Sequence, residues 1–432
     1  MNARGEPGLK CAAAGERART GAAYQPWYNR PISITIPRMR SEAEANVTPR
    51  SSAVRRPPRI LMVAGEASGD LHGGDLARQL LSLNPDCDLF GIAGEQMRSA
   101  GVRPMVRMED IHGLGLSELA STIGRTVNAF RELRRTIRHQ RPDLVILIDY
   151  AEFNLILSGV ARRAGAKVLY YITPQVWAWR RGRIGKISAR ADRLAVVLPF
   201  EKEIFAAAAD RVSFVGHPLL DRVKPAQDRK ATLERHGLPP GARLLALLPG
   251  SRHAEVHYML GEFVAAAQIL ARDHGLTPVV ALAPTLTSAQ LTRQRDLDLS
   301  GIRIVEDDTY SIIAASELAL VASGTATLET SLLECPMVIS YKVSALTYIL
   351  GRMLITGVDF IGMPNILAGR KIVPELIQGE MNARNLVRAA EPLLNPTLRE
   401  ETIGALKALR EKLGTPGAAR RVALTALEMV GT

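Results

Sequence analysis

Short, nearly continuous apolar runs recur along this chain. Each is closed by small or polar residues and followed by a stretch with helical spacing of its apolar positions. The first is ILMVAGEASGD (60–70), an apolar strand and a Gly/Ser-rich turn that hands over to LHGGDLARQLLSL. CDLFGIAG around Phe90, PDLVILIDYAEFNL (142–155), KVLYYITP, RLAVVLPFEKEIF and VSFVGHPLLD (212–221) continue the series. Strands that are apolar on both faces belong in a parallel sheet covered by helices, with ligands at the carboxyl ends of the strands. A polar segment marked by Pro and Gly (221–242) interrupts the pattern. RLLALLPGSRHAEV then restarts it, and TPVVALAP, GIRIVEDD, ELALVASGT and PMVISYK extend it to Lys342. The expectation is an α/β protein with two βα series in tandem, followed by helices from about residue 384 with a break at Gly414 and Pro416.

Several turns in this pattern could carry chemistry. In VASGTATLETSLLECPMVISYK (321–342) a strand stops at Ser323, Gly324 and Thr325 and passes into a helix. Free backbone N–H groups and the helix dipole at such a junction suit an anion. Thr325 and Glu329, four residues apart, share one side of that helix, so a phosphate at the turn and a hydroxylated ring beside Glu329 would fit a sugar nucleotide. Gly65, Ser68 and Gly69 keep the first turn small, and Asp149 and Glu152 follow the most apolar strand. Trp177 and Trp179 sit in a loop where they could stack on a sugar or line an acyl cleft, and Arg252 heads its own helix. Each position also has an ordinary reading: a capped helix, a tight turn, an aromatic plug. The stripe Leu114, Leu116, Leu119, Ile123, Val127, Phe130, bordered by Arg125, Arg131, Arg134 and Arg135, is either a sheet-packing face or an interfacial helix on anionic lipid. The apolar run after Ser344 could serve the core, a lipid-facing patch or a homodimer surface.

Composition narrows the choices. Of the 432 residues 47% are hydrophobic and 23% charged, as in a soluble globular protein with room for two domains. Residues 1–58 hold ten basic and four acidic residues, half of the net charge of +12, and read as a disordered leader without a signal-peptide core. The positive excess left on the rest suits an anionic substrate or membrane surface, and its diffuse placement argues against nucleic acid. Cys11, Cys87 and Cys335 are scattered, with no metal-ligand spacing, which fits a reducing, cytoplasmic setting. No apolar run reaches the roughly 18 residues of a spanning helix.

Eight blocks in order, AGEASGDLHGG, IDYAEFN, ITPQVWAWRRGRIGKI, LPFEKEIF, FVGHPLLD, LLPGSRHAEV, ASGTATLE and PNILAGR, resemble the lipid-A-disaccharide synthase family. The resemblance covers nearly everything from Ile60 onward. It implies the GT-B glycosyltransferase architecture, two Rossmann-like domains with parallel sheets facing a cleft. The expected division is a leader (1–58), an acceptor and membrane-facing domain (59–220), a UDP-sugar domain (221–400) and C-terminal helices returning to the first domain (401–432). It further implies inverting transfer from UDP-2,3-diacylglucosamine to 2,3-diacylglucosamine 1-phosphate at the cytoplasmic face of the inner membrane, with no metal or other cofactor. Asp149 is then the expected base, with Glu152 nearby at a position where Asp is more usual in the family. Arg252, Ser323, Gly324, Thr325, Glu329 and Asn365 become donor-site candidates. The alternative is another GT-B enzyme acting on UDP-N-acetylglucosamine, an epimerase or a peptidoglycan transferase.

Overall fold

The computed structural model describes residues 56–431 apart from 112–118, 179, 293–296, 345–347 and 349–358. Trp179, Leu114, Leu116 and the leader to residue 55 lie outside the described residues.

Two parallel sheets carry the architecture. The first joins β1 (Arg59–Ala64), β2 (Asp88–Ala93), β3 (Arg103–Arg107), β4 (Leu144–Ile148), β5 (Lys167–Tyr171), β6 (Arg193–Val196) and β7 (Val212–Phe214) in the order 3-2-1-4-5-6-7. The second joins β8 (Arg243–Leu248), β9 (Leu276–Ala281), β10 (Arg303–Val305), β11 (Ser316–Ala322), β12 (Met337–Tyr341) and β13 (Glu375–Ile377) in the order 10-9-8-11-12-13. Both follow the doubly wound plan, in which the strand order reverses beside the first strand and opens a crevice there. In the first sheet the reversal lies between β1 and β4, where Ala64 pairs with Ile148. In the second it lies between β8 and β11, where Leu248 pairs with Val321.

Sequence explains these choices. All five residues of β4, LVILI, are fully buried, as a central strand with helices on both faces requires. Helices α1 (Ala67–Leu83), α2 (Leu119–Gln140) and α3 (Ala151–Arg163) cover the first sheet, and α4 (His253–His274) and α5 (Thr325–Leu332) serve the second. Among the described residues of α2, Ala129, Leu133, Thr136 and Ile137 are buried, whereas Ile123 and Val127 are 60% and 41% exposed. The apolar stripe therefore does not pack on the sheet along its whole length.

The chain ends by crossing back. Helix α6 (Met363–Ala368) and helix α7 (Pro396–Lys412) stay with the second sheet, and α8 (Ala418–Val430) lies against α1 of the first. Lys167 Nζ donates to the carbonyl of Met429 at 2.5 Å, and Arg421 Nε donates to that of Val215 at 2.9 Å, fixing α8 to the first lobe. Among the described residues no helix is long and apolar enough to cross a membrane.

Candidate active site

The candidate residues gather at the two reversal points. Asp149 is the first residue after β4, and Gly65 and Glu66 are the first two after β1, so paired strands deliver them side by side. Asp149 and Tyr150 both have positive φ, 41° and 83°, which bends the chain sharply into α3. Asn154 fastens the bend by donating to the carbonyl of Asp149 at 3.0 Å. The Tyr150 ring then lies over Gly65: a Cβ at position 65 would meet Tyr150 Cγ at 2.1 Å. Gly69 runs beneath, its Cβ direction 3.7 Å from Asp149 Cβ.

This setting prepares Asp149 to take a proton. Burial pushes its carboxyl up to about 6, the Glu66 charge pushes the same way, and a hydrogen bond with Ser68 opposes them. A base of that strength is ionised at neutral pH yet holds a proton well. Tyr150 also stacks on Phe153 at 4.9 Å, Phe153 meets Phe130 edge-on at 5.7 Å, and a side-chain hydrogen bond joins Tyr150 to Thr126. The partly exposed helix α2 is thus in direct contact with the bend that holds Asp149.

Across the crevice, the turn after β8 leads to Arg252 at the head of α4. Glu255 folds back there, accepting from the N–H groups of Ser251 at 2.9 Å and Arg252 at 3.3 Å, and Gly250 leaves it room. The Arg252 guanidinium reaches over the crevice to within 3.7 Å of Glu66. The neighbouring turn after β11 presents Gly324 and Thr325, both exposed, at the start of α5. Glu329, one turn into α5, accepts a hydrogen bond from Tyr310 Oη at 2.9 Å, and burial raises its carboxyl. Among the described residues no group of three or more His, Cys, Asp or Glu is placed to hold a metal.

The profile of the family described as Lipid-A-disaccharide synthetase matches residues 60–428. The chain belongs to the lipid-A-disaccharide synthase family. It is 44% identical over 376 residues to the lipid-A-disaccharide synthase of Syntrophus aciditrophicus and 45% identical over 378 residues to that of Geobacter metallireducens. Each alignment covers 86% of this chain and 97% of the relative. Among solved structures it resembles the calicheamicin glycosyltransferase CalG4, with a TM-score of 0.57 at 15% identity, over 88% of this chain and all of that one. It also resembles the UDP-GlcNAc 2-epimerase of Neisseria meningitidis bound to UDP-GlcNAc, with a TM-score of 0.55 at 14% identity, over 86% of this chain and all of that one. At such identities these structures speak for the fold alone, the two-domain Rossmann-like α/β architecture that GT-B glycosyltransferases share.

Within this synthase-family fold several sequence candidates take other places. Trp177 is 1% exposed and packs edge-on against Phe200 at 5.1 Å, so it cannot stack on a sugar. It belongs with Glu201, a buried carboxyl pushed up to about 7, which accepts from Thr173 and from the N–H groups of Val197 and Leu198. Asn365 is fully buried, its amide spent on Ile372, Val373 and Glu375, so it shapes the loop behind α6 rather than facing the crevice. Ser323 offers no N–H to a diphosphate: that group donates to the Ser340 carbonyl at 2.8 Å, and Ser323 Oγ donates to Ile361. Glu152 is ion-paired with Arg180 and Arg183, so its carboxylate is engaged by the segment after β5.

The residues missed from sequence are Glu66, Tyr150 and Tyr310. Glu66 was within reach, since it follows the strand beside which the order reverses. The position of the Tyr150 ring depends on a left-handed bend that the sequence does not announce.

Proposed function

We propose that the chain transfers the 2,3-diacylglucosamine unit of UDP-2,3-diacylglucosamine to 2,3-diacylglucosamine 1-phosphate, with Asp149 as the general base. This is the lipid A disaccharide-forming activity of its family, and Asp149 opposite Arg252 is the observation that supports these roles. Asp149 accepts the proton of the acceptor's 6-hydroxyl as that oxygen attacks the anomeric carbon from the face opposite UDP. The bond from that carbon to the pyrophosphate oxygen breaks, the new glycosidic bond forms with inversion, and UDP departs with the electron pair. Arg252 and the N–H groups of Gly324 and Thr325 meet the departing charge, and Glu329 receives ribose hydroxyls. The epimerase alternative rests on fold likeness alone.

The acylated substrates reach the crevice along α2. Ile123 and Val127 stand out from its surface with Arg131, Arg134, Arg135 and Arg138 exposed along the same helix. Exposed aliphatics with arginines suit the anionic cytoplasmic face of the inner membrane, where the chain docks peripherally.

Asp149→Asn tests the assignment. It should lower kcat by about 10²- to 10⁴-fold while UDP binding, measured by calorimetry, stays within twofold. Turnover close to that of the unaltered chain removes Asp149 as the base.

A further inference from the structure

Glu66 takes no step in the transfer above, yet it stands between the two groups that do. It caps the start of α1 without using its side chain for the cap, and it is exposed to the crevice. On one side its charge acts on Asp149, the two residues following the paired strands β1 and β4. On the other it meets the guanidinium of Arg252 at 3.7 Å, in one of the ion pairs that span the two lobes. Arg252 is itself shared, since Nη1 also lies 3.2 Å from Glu255 Oε1. Glu255 belongs to the same helix as Arg252 and moves with it. Glu66 belongs to the opposite lobe.

We propose that Glu66 is a positioning residue that holds Arg252 across the crevice until the donor's diphosphate takes the guanidinium over. The inference rests on the reading of Arg252 as a diphosphate ligand. A diphosphate offers Arg252 bidentate, doubly charged contacts that an exposed carboxylate cannot match, so the exchange runs toward the donor. It has a second effect. Once Arg252 has turned to the diphosphate, the Glu66 charge faces Asp149 without its counter-ion. Among the described residues the groups that act on the Asp149 carboxyl are Glu66 and Ser68 from the turn into α1, with Tyr150 from its own bend and Thr126 of α2 behind Tyr150. None of these carries a positive charge. Asp149 therefore becomes the stronger base when the donor is seated.

Calorimetric titration of the full chain with UDP, together with the pH dependence of kcat, tests this. Glu66→Gln should bind UDP about two- to fivefold more tightly, because an exposed ion pair of this kind no longer competes for Arg252. The acid limb of its kcat profile should move to lower pH. In Glu66→Asp the charge beside Asp149 stays but the shorter arm no longer reaches Arg252, so UDP tightens while the acid limb remains in place. A purely structural role for Glu66 would weaken UDP binding in both variants, and unchanged or weaker binding in Glu66→Gln overturns the proposal. Arg252→Ala separates the two levels. If that variant binds UDP as the unaltered chain does, the donor-site reading falls and the proposal with it. If it loses UDP while Glu66→Gln gains nothing, only the role of Glu66 falls.

Discussion

The ring of Tyr150 fills the space that a side chain at position 65 would need, with Cγ only 2.1 Å from where a Cβ would stand. Two loops from different strands are thereby locked at close range. One carries Asp149, the proposed base, and the other leads to Glu66.

Gly65→Ala should therefore damage activity more than stability. The methyl group has to displace Tyr150 or the bend that holds it, and Asp149 is the preceding residue. A displacement of about 1 Å at the reacting groups costs roughly 100-fold in rate. Steady-state kinetics should show kcat falling by about that factor while the far-ultraviolet circular dichroism is retained. Full activity in Gly65→Ala would mean that Tyr150 does not position the base.

Turnover should fall on the acid side as Asp149 takes up a proton. Its carboxyl is raised to about 6 by burial first and by Glu66 second, so the base is lost as pH drops through that value. A kcat/KM profile on the unaltered chain should show an acid limb near pH 6. A limb near 4, the value of an ordinary carboxylate, would contradict this environment.

Acid should also loosen the fold, through His72 and His217. Burial lowers His72 to about 4, with the Arg222 charge acting the same way and Asp75 against it. Burial and the nearby His72 lower His217 to about 3. The unfolded chain binds these protons below about 6.5 and the folded chain does not, so the contribution of these two residues to stability declines as pH falls from about 6.5, to about 4 for His72 and to about 3 for His217. For His72 the loss is on the order of 3 kcal/mol. Glu201 and Asp149, raised by burial, act with the opposite sign in this range, so the readout is the difference between variants: the urea midpoint should drop more, or gain less, on acidification in the unaltered chain than in His72→Gln. An identical slope in that variant would remove His72 from the account.

Ile123 and Val127 should anchor the chain to lipid without supporting the fold. Replacing both with Ser should weaken binding to anionic vesicles about tenfold, as expected for partial burial of two aliphatic side chains. UDP binding and thermal stability should hold. Undiminished vesicle flotation would place the membrane contact elsewhere.

Much of this was legible in the sequence because parallel sheets write themselves as apolar runs. LVILI and RLLALL read directly as central strands. The turns after them, with Asp149 and Arg252, follow from the rule that ligands gather at strand carboxyl ends. Edge strands were harder: every residue of RPMVR in β3 is exposed or half-buried, and ELI of β13 has three residues, all half-buried. Side-chain direction was harder still. Trp177 and Asn365 lie in motifs that resemble the family, but their neighbours turn them inward to Glu201 and to the backbone around Val373. Glu152 is captured by Arg180 and Arg183, whose approach depends on how the segment after β5 folds back.

The most direct test of the central claim is product analysis. The purified chain, given UDP-2,3-diacylglucosamine and 2,3-diacylglucosamine 1-phosphate, should release UDP in step with an acylated disaccharide 1-phosphate. Mass spectrometry should identify the product, and the anomeric proton coupling should show an inverted linkage. UDP release without a disaccharide, or a product of retained configuration, would contradict the account.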